Sequence, residues 1–383
     1  MFKIIKFIVF VFVLNSCNKP VATKETKKEV KTIKSKEDNS QKVILITIDG
    51  LRWQELFSGA DSLLVANTDY VKDTVTLKNK FWNTNFKQRR KSLMPFFWNT
   101  IANNGVIYGN RKLGNKVNIT NKHGFSYPGY SEILCGFADD KRVNSNDKNP
   151  NPNVTVLEYL NNTNKLKGEI AAFGSWDVFP YIINEKRSGV PVNAGFEPVT
   201  DNPNATEKIL NKCQSETHSP WHNVRLDVYT QNFALEHLKK KHPKLLYVAY
   251  GETDDFGHDG RYDFYLEAAN RTDNFIKELW NFTQQDPFYK GKTTFIITTD
   301  HGRGTQPLEE WKSHGYGLKY HGKEYNIKGS EETWIALLGN QIKAKGEDNS
   351  KNQLFNTQIA TTVANLLGEE YKEEKSGKIL IEK

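Results

Sequence analysis

The feature that most constrains the fold is a set of short, apolar, β-branched runs that recur along the chain. The first is Val43–Ile48, with the sequence VILITI, which shows no alternation of apolar and polar residues. A strand of that composition is typically buried on both faces, as in a parallel sheet. Four later runs have the same character: Gly168–Phe173, Leu245–Tyr250, Phe295–Thr299 and Trp334–Leu338.

Helical patterns lie between these runs. Two sets of apolar residues are each spaced to share one helix face: Val224, Val228, Leu235 and Leu238, and then Leu266, Ala269, Ile276 and Leu279. A third set, with Asn356 as predicted cap and Gly368 as predicted end, contains Ile359, Val363, Leu366 and Leu367. Strands alternating with helices predict an α/β fold, with a central, mostly parallel sheet flanked by helices and interrupted by loop insertions.

The first 17 residues have the pattern of an export signal. Lys3 and Lys6 precede the apolar run Phe7–Leu14, and the run ends in Leu14-Asn15-Ser16-Cys17. This ending resembles a bacterial lipobox, which implies cleavage before Cys17 and lipidation of its thiol. A plain secretory signal with a chance cysteine is the alternative. The pattern predicts an exported protein that is lipid-anchored in a bacterial cell envelope, facing the periplasm or the surface.

Residues 18–42 are predicted to be a flexible tether, because they are rich in Lys, Glu, Thr and Ser and have no apolar periodicity. Residues 1–42 hold ten lysines and four acids, so +6 of the net charge of +8 lies there and +2 in the rest. No basic face for nucleic acid is therefore implied. Membrane contact is expected through the N-terminal lipid, with a lysine patch on anionic headgroups as the alternative.

Residues 43–383 are predicted to form one catalytic domain. Two polar stretches, residues 139–153 and 193–220, are predicted to be long loops of the kind that line a site. Cys135 and Cys213 either pair after export or stay as two buried thiols, and the sequence leaves both open.

Acids and histidines follow three of the predicted strands. Asp49-Gly50 follows the first strand, Asp254 and His258 follow Leu245–Tyr250, and Asp300-His301 follows Phe295–Thr299. Ligands bind at the carboxyl ends of strands in open α/β sheets, and acids there are costly to bury unless paired or bound to metal. Each motif alone is also a common turn. Together they predict a site for two divalent ions, with zinc the favoured metal.

A serine is the predicted nucleophile. Ser126 stands in Phe125-Ser126-Tyr127-Pro128-Gly129, before an apolar stretch that begins a helix. A helix cap is the simpler interpretation of this serine taken alone. Beside a dimetal site, it can instead act as a metal-activated nucleophile.

Taken together, these motifs resemble the alkaline phosphatase superfamily, and most closely its type I phosphodiesterase/nucleotide pyrophosphatase branch. They run from Asp49 to the strand ending at Leu338 in the order of that family. The resemblance implies one metal held by Asp49, Asp300 and His301 and faced by Ser126. It implies a second metal held by Asp254, His258 and a late histidine, and a covalent phosphoserine intermediate. The late histidine is predicted to be His314, with His321 as the alternate.

The family also implies an asparagine that stabilises a phosphoryl oxygen about twenty residues after the nucleophile. Asn144 and Asn146 lie in that window, and Asn146 is nearer the expected offset. A polar turn is the alternative for both residues.

Departures from the motifs of particular branches of the family indicate which activities are not expected. Tyr130 stands where sulfatases need arginine, so a sulfatase is not expected. One monoesterase branch has a Lys-x-Arg pair where this chain has Trp176 to Phe179. Trp176, Phe179 and Tyr181 are therefore predicted to form an apolar wall for the organic group of a diester, with core packing as the alternative for Trp176. Arg187 weakens this prediction if it folds back towards the site.

The sequence thus predicts an exported, metal-dependent phosphodiesterase that acts on a small phosphoester. Two alternatives remain. One is a phosphomonoesterase or phosphonate hydrolase of the same superfamily, and the other is a catalytically inactive surface lipoprotein that binds glycans or partners. The complete set of acids and histidines favours an enzyme.

Overall fold

The computed structural model describes residues 40–320 and 323–381, apart from the side chains of residues 318–320, 323 and 325. The strands within these ranges are β1 (Lys42–Ile48), β2 (Gly105–Tyr108), β3 (Lys116–Asn118), β4 (Ile170–Gly174), β5 (Val192–Ala194), β6 (Leu245–Tyr250), β7 (Thr293–Thr298), β8 (Leu318–Tyr320), β9 (Lys323–Tyr325), β10 (Glu332–Thr333), β11 (Ile335–Gly339), β12 (Gly346–Glu347) and β13 (Gln353–Phe355).

The helices are α1 (Trp53–Ser58), α2 (Thr74–Phe81), α3 (Phe86–Leu93), α4 (Ala102–Asn104), α5 (Ser126–Cys135), α6 (Val156–Asn161), α7 (Phe179–Ile182), α8 (Glu185–Ser188), α9 (Ala205–Glu216), α10 (Asp227–Lys241), α11 (Glu252–His258), α12 (Tyr262–Gln285) and α13 (Gln358–Leu366). A π-helical turn spans Phe97–Ile101, and 3₁₀ turns span Arg111–Leu113 and Leu308–Lys312.

The central sheet has eight strands in the order β12-β2-β11-β7-β1-β6-β4-β5. The run from β7 to β5 is parallel throughout, whereas β11 pairs antiparallel with both β7 and β2. β1 lies between β6 and β7, so the carboxyl ends of these three strands are adjacent. The predicted α/β class with a mostly parallel sheet is confirmed.

The sheet has a hydrophobic core on each face. In β1, Ile44, Ile46 and Ile48 pack into one core, which α10 and α12 cover. Val43 and Leu45 pack into the other core, which α5, α6 and α13 cover. Burial on both sides explains why this strand has an unbroken apolar run, and why polar residues appear only where it ends.

The apolar pattern of α12 was predicted correctly, since Leu266, Ala269, Ile276 and Leu279 are all buried. The predicted face of the preceding helix was partly wrong. Val224 lies before α10 begins, and Val228 is exposed. The residues of α10 that face the core are Tyr229, Phe233, Ala234 and Leu238. The helix is therefore rotated about its axis relative to the orientation that the sequence pattern predicted.

Asn356 does not cap α13, contrary to the prediction. Its buried side chain donates to the carbonyl of Thr299 at 2.8 Å and accepts from the Thr333 hydroxyl at 3.0 Å. It therefore ties the start of α13 to the end of β7, next to Asp300. Gly368 follows the helix with a φ of 74°, as predicted for its end.

Other details also differ from the sequence predictions. β1 begins at Lys42, the last residue of the predicted tether, and residues 18–39 of that tether lie outside the described residues. The predicted loop 193–220 contains the helix α9, which starts with a capping box formed by Asn204 and Glu207. Cys135 is a buried free thiol and Cys213 is an exposed free thiol, so the two do not pair and only one of them is buried.

Within the described ranges, no helix has the length and apolar character needed to cross a membrane.

Candidate metal centre

The three acids that follow the strands converge at one edge of the sheet. Asp49 comes directly after β1, Asp254 lies in the first turn of α11 after β6, and Asp300 follows β7. All three side chains are buried. Their convergence follows from the strand order, because β6 and β7 pair with opposite sides of β1.

Asp49, Asp300 and His301 form one candidate metal-binding group. Nε2 of His301 lies 3.3 Å from Oδ1 of Asp49 and 3.3 Å from Oδ2 of Asp300. The other oxygen of each carboxylate has a partner: Tyr130 donates to Asp49 Oδ2 at 2.8 Å, and the Gly50 amide donates to Asp300 Oδ1 at 3.1 Å. Asp49 Oδ1 and Asp300 Oδ2 are buried and accept no hydrogen bond within the described residues.

A second candidate group contains Asp254, His301 and His314. Nε2 of His314 lies 3.5 Å from Oδ1 of Asp254, and its ring stacks on that of His301 at 3.8 Å. His258 adjoins this group, with Nε2 at 3.0 Å from both Asp254 Oδ2 and His314 Nε2. His301 is therefore common to the two groups. His258 lies at the edge of the second group, and its side chain is 47% exposed.

Backbone carbonyls orient the two central imidazoles. Nδ1 of His301 lies 2.9 Å from the carbonyl of Gly302, and Nδ1 of His314 lies 3.1 Å from the carbonyl of Gly124. A carbonyl only accepts, so each Nδ1 carries a proton, and Nε2 is the ring nitrogen that faces the acids and can bind a metal once it is deprotonated. This is the arrangement in which outer hydrogen bonds prepare histidines to bind a metal.

The charges at this centre are unbalanced without a bound cation. Burial and the neighbouring Asp49 raise the pKa of Asp300 well above its usual value. Burial disfavours the charged form of His301, but Asp300, Asp49 and Asp254 together raise its pKa to about 9. The buried, unpartnered carboxylate oxygens and the prepared Nε2 atoms are a donor set that fits divalent ions such as zinc.

Ser126 lies beside this donor set. It is the first residue of α5, is 6% exposed, and places Oγ 3.3 Å from Nε2 of His301. It caps nothing, because Phe125 occupies the N-cap position and no side chain there bonds to the helix. The geometry therefore supports the nucleophile hypothesis over the cap.

Gly129 allows α5 to approach the centre closely. A Cβ atom at this position would stand 2.4 Å from the carbonyl oxygen of Asp300, which is closer than real contacts. One residue further on, Tyr130 reaches Asp49 from the same helix. The Pro128-Gly129-Tyr130 sequence thus fixes the position of Ser126 relative to the Asp49 carboxylate.

The two candidate asparagines differ in position. Asn146 accepts a hydrogen bond from the amide of Tyr127 at 3.0 Å, so it lies next to the residue that follows the nucleophile. Asn144 is exposed and its amide donates to the Lys141 carbonyl at 3.3 Å. Both side chains are exposed, but Asn146 contacts the first turn of α5, which contains Ser126, whereas Asn144 bonds only within its own turn.

The predicted aromatic wall is wrong for Phe179. Its side chain is 2% exposed and packs on Tyr130 at 4.8 Å and on Tyr247 at 5.8 Å. Trp176 is 9% exposed and packs edge-on against Phe179. Both rings fill the core behind α5, because the chain turns inward after β4, and this core packing accounts for their presence in the sequence.

Arg187 does not fold back towards the centre. Its guanidinium makes a two-point ion pair with Glu158, at 2.8 and 2.7 Å, and donates to the carbonyls of Asn151 and Asn153. These four hydrogen bonds hold the guanidinium group of Arg187 away from the candidate metal centre, so it does not offset the charge of a phosphoryl group there.

Arg303 is a residue of this centre that sequence reasoning missed. It is fully buried, forms an ion pair with Asp254, and donates through Nε to the Trp311 carbonyl at 2.8 Å. Gly257 makes room for it, since a Cβ there would lie 2.7 Å from the guanidinium carbon. The available signal was its position directly after Asp300-His301-Gly302.

Replacement of His314 by alanine is expected to weaken metal binding by more than the roughly 10–100-fold that outer partners contribute. The imidazole lies within reach of Asp254, whereas His321 lies outside the described residues. Metal titration of the two alanine variants checks this. Intact binding in His314→Ala together with loss in His321→Ala would transfer the role to His321, and loss in both would indicate that the two are linked.

Comparisons with known proteins agree with this geometry. A family model described as the Metalloenzyme superfamily matches residues 175–314, which include the second candidate group, Asp300 and His301. The 2,3-bisphosphoglycerate-independent phosphoglycerate mutase of Gracilaria tenuistipitata var. liui is 22% identical over 265 residues, 68% of this chain and 50% of that protein. The chain thus spans about half the length of this curated relative.

Three solved structures share the fold at low identity. Alkaline phosphatase PafA is 12% identical with a TM-score of 0.55, over 89% of this chain and 98% of that one. The lipoteichoic acid synthase LtaP from Listeria monocytogenes is 14% identical with a TM-score of 0.53, over 88% and 75%. Phosphonate monoester hydrolase SpPMH from Silicibacter pomeroyi is 13% identical with a TM-score of 0.52, over 89% and 76%.

These findings show the fold and a match of part of the chain to a metalloenzyme family model. The chain shares the fold of alkaline phosphatase PafA and has buried groups that could hold metal, so the fold that the resemblance implied is confirmed. The proteins that it resembles are named as a phosphoglycerate mutase, a phosphonate monoester hydrolase and an alkaline phosphatase. The phosphodiesterase branch stays a prediction.

Proposed function

We propose that this protein is an exported, metal-dependent phosphodiesterase with Ser126 as nucleophile. The observation that carries the proposal is the position of Ser126 Oγ, 3.3 Å from His301 Nε2, which itself lies next to two buried carboxylate oxygens that accept no hydrogen bond in the part of the chain that the structure describes. A surface lipoprotein that had lost catalysis would have no reason to keep that set of buried, repelling acids.

Two zinc ions are the proposed cofactors. Asp49, Asp300 and His301 would hold one, and Asp254, His258 and His314 the other. The bound ions would supply the positive charge that lowers the pKa of the Ser126 hydroxyl and offsets charge on the phosphoryl oxygens. The carbonyls of Gly302 and Gly124 keep the two histidines in the required tautomer.

The proposed reaction has two displacements at phosphorus. In the first, the Ser126 Oγ–P bond forms, the P–O bond to one alcohol breaks, and that alcohol takes up a proton. In the second, water attacks phosphorus, the Oγ–P bond breaks, and the serine hydroxyl regains its proton. Asn146 accepts from the Tyr127 amide through its Oδ1, and its NH₂ group, which has no acceptor among the described residues, would donate to a phosphoryl oxygen.

A diester is the proposed substrate because two arginines that could have offset a second phosphoryl charge, Arg187 and Arg303, are already paired with acids. Arg187 pairs with Glu158, and Arg303 pairs with Asp254 and donates to the carbonyls of Trp311 and Lys312. A monoester dianion needs one more compensating charge than a diester monoanion. Trp176 and Phe179 do not contribute to this preference, because both pack in the core.

A phosphomonoesterase is the second candidate, and Lys148 is the observation that favours it. This lysine stands two residues after Asn146, and its half-exposed side chain pairs with Asp177 at 2.6 Å. If the ammonium turns towards the phosphoryl group, it provides the charge that a monoester requires.

The metal-loaded enzyme is expected to show a kcat/KM for an aryl phosphodiester at least about tenfold above that for the matching monoester. An aryl sulfate is expected to be a poor substrate. Rates on these three compounds with one preparation test the proposal. A monoester preference that disappears in Lys148→Gln would establish the second candidate instead.

Export and anchoring are proposed from Lys3, Lys6, Phe7–Leu14 and Cys17, which lie outside the described residues. Replacement of Cys17 by serine is expected to shift most of the protein from the membrane fraction to the soluble fraction, because the acyl chains hold it there. Fractionation of cells that express each form measures the shift. A variant distributed like the parent protein contradicts the lipobox assignment.

A further inference from the structure

A cavity of about 620 Å³ opens at the carboxyl edge of the sheet, beyond β4 and β5. Its walls include Lys148, Asp177, Tyr181, Lys186, Phe196 and Glu197. This volume is within the range of cavities that bind a small organic ligand.

The cavity lies on the same edge as the metal centre, since β4 pairs with β6 and Asp254 follows β6. Tyr127, the residue after Ser126, connects them. Its hydroxyl is 2.5 Å from the Asn149 carbonyl and 3.2 Å from the carbonyl of Tyr181 in the cavity wall. The cavity therefore begins about one tyrosine side chain away from the nucleophile.

The cavity combines aromatic surface with an unused acceptor. Phe196 is 39% exposed although it is a large apolar side chain, and Tyr181 is half-buried beside it in the wall. Asp177 pairs with Lys148 through Oδ2, but its Oδ1 is buried and has no hydrogen-bond partner among the described residues. An orphaned acceptor beside an exposed ring suits a ligand with hydroxyl groups and an apolar face.

The charges in the wall argue against a second phosphate there. Two lysines, Lys148 and Lys186, face three acids, Asp177, Glu185 and Glu197. Glu185 and Glu197 accept from the amides of Val192 and Ala194, at 3.0 and 3.2 Å, which keeps their carboxylates at the wall. A wall with more acids than bases favours a neutral ligand over an anion.

We propose that this cavity binds a sugar, as the organic group that a phosphodiester substrate carries on its phosphorus. Phe196 stacks on the sugar ring and the Asp177 carboxylate accepts from a sugar hydroxyl. The assignment of the sugar to the substrate rests on the proposed function, whereas the affinity for sugar does not. In this proposal, Asp177 and Tyr181 of the segment after β4 contact the ligand. Trp176 and Phe179 of the same segment pack in the core.

Saturation-transfer NMR on the metal-loaded full chain tests the binding without turnover. The probes are the neutral methyl glycosides of glucose, galactose and mannose, with cyclohexanol as a ring that carries one hydroxyl. At least one glycoside is expected to bind, and Phe196→Ala and Asp177→Asn are each expected to weaken it about tenfold. Phe86→Ala, which removes another exposed ring on α3, is the matched control and leaves binding unchanged.

Binding of none of the three glycosides, or binding that neither variant weakens, overturns the proposal.

A kinetic comparison then tests the link to the substrate, with p-nitrophenyl diesters that carry glucosyl, galactosyl, mannosyl or methyl on the second oxygen. The best glycosyl diester is expected to exceed the methyl diester about tenfold in kcat/KM, and Phe196→Ala removes the difference. Equal rates overturn the substrate assignment. Absence of any hydrolysis overturns the proposed function, and the NMR result distinguishes the two failures.

Discussion

Replacement of Ser126 by alanine is expected to lower kcat for an aryl phosphodiester by about 10⁴-fold or more, on the scale seen for other essential nucleophiles. The hydroxyl is the only atom lost, and it caps no helix, so the fold and the metal ligands are expected to remain intact. Steady-state rates, metal content by mass spectrometry and thermal unfolding of the same preparation check each part.

Ser131→Ala is the matched control for this experiment. Ser131 lies on the same helix and is equally buried, but its Oγ contacts Asn151 at 3.1 Å instead of the metal centre. This variant is expected to lose some stability and to retain turnover. If Ser126→Ala retains kcat within about tenfold of the parent protein, the serine is not the nucleophile.

Replacement of Asp300 by asparagine is expected to remove at least one metal ion per chain and to lower activity by about 10³-fold or more. The change is nearly isosteric, and the amide oxygen can still accept from the Gly50 amide, which lies 3.1 Å from Asp300 Oδ1. What is lost is the charge on Oδ2, the buried oxygen without a partner. Metal content and turnover measure the two effects.

The same variant is expected to change thermal stability in opposite directions with and without metal. In chelator, Asp300→Asn removes repulsion from Asp49 and Asp254, so the variant is expected to unfold at a higher temperature than the wild type. With metal, only the wild type gains the stability that two bound ions provide. The order of unfolding temperatures is therefore expected to reverse.

Asp273→Asn is the control for these unfolding experiments. Asp273 is fully buried, but it accepts from the amides of Phe96 and Phe97, at 2.7 and 2.8 Å, outside the metal centre. Its replacement is expected to lower stability equally with and without metal. Activity that survives both chelator and Asp300→Asn would contradict a metal mechanism and would leave His301 as the base for Ser126.

The sequence by itself determined the architecture and most of the metal centre. β1 is buried on both faces and is therefore apolar throughout, which made it recognisable, and a residue such as Asp49 is conspicuous where the apolar run stops. The same logic identified Asp254 and Asp300. Because parallel strands align their carboxyl ends, knowledge of which residues follow each strand was enough to predict that the acids meet.

Only the tertiary structure decided which polar and aromatic residues reach the centre. Trp176 and Phe179 have aromatic side chains that suit a ligand wall or a core, and the turn after β4 directs both inward. Arg303 contacts Asp254, which lies 49 residues earlier, and Asn356 bonds to Thr299, which lies 57 residues earlier. Periodicity reports whether a residue is buried, whereas the partner of a buried polar group depends on how distant segments pack. That long-range packing distinguishes Asn146 from Asn144, brings His314 to Asp254, and turns Asp177 towards the cavity.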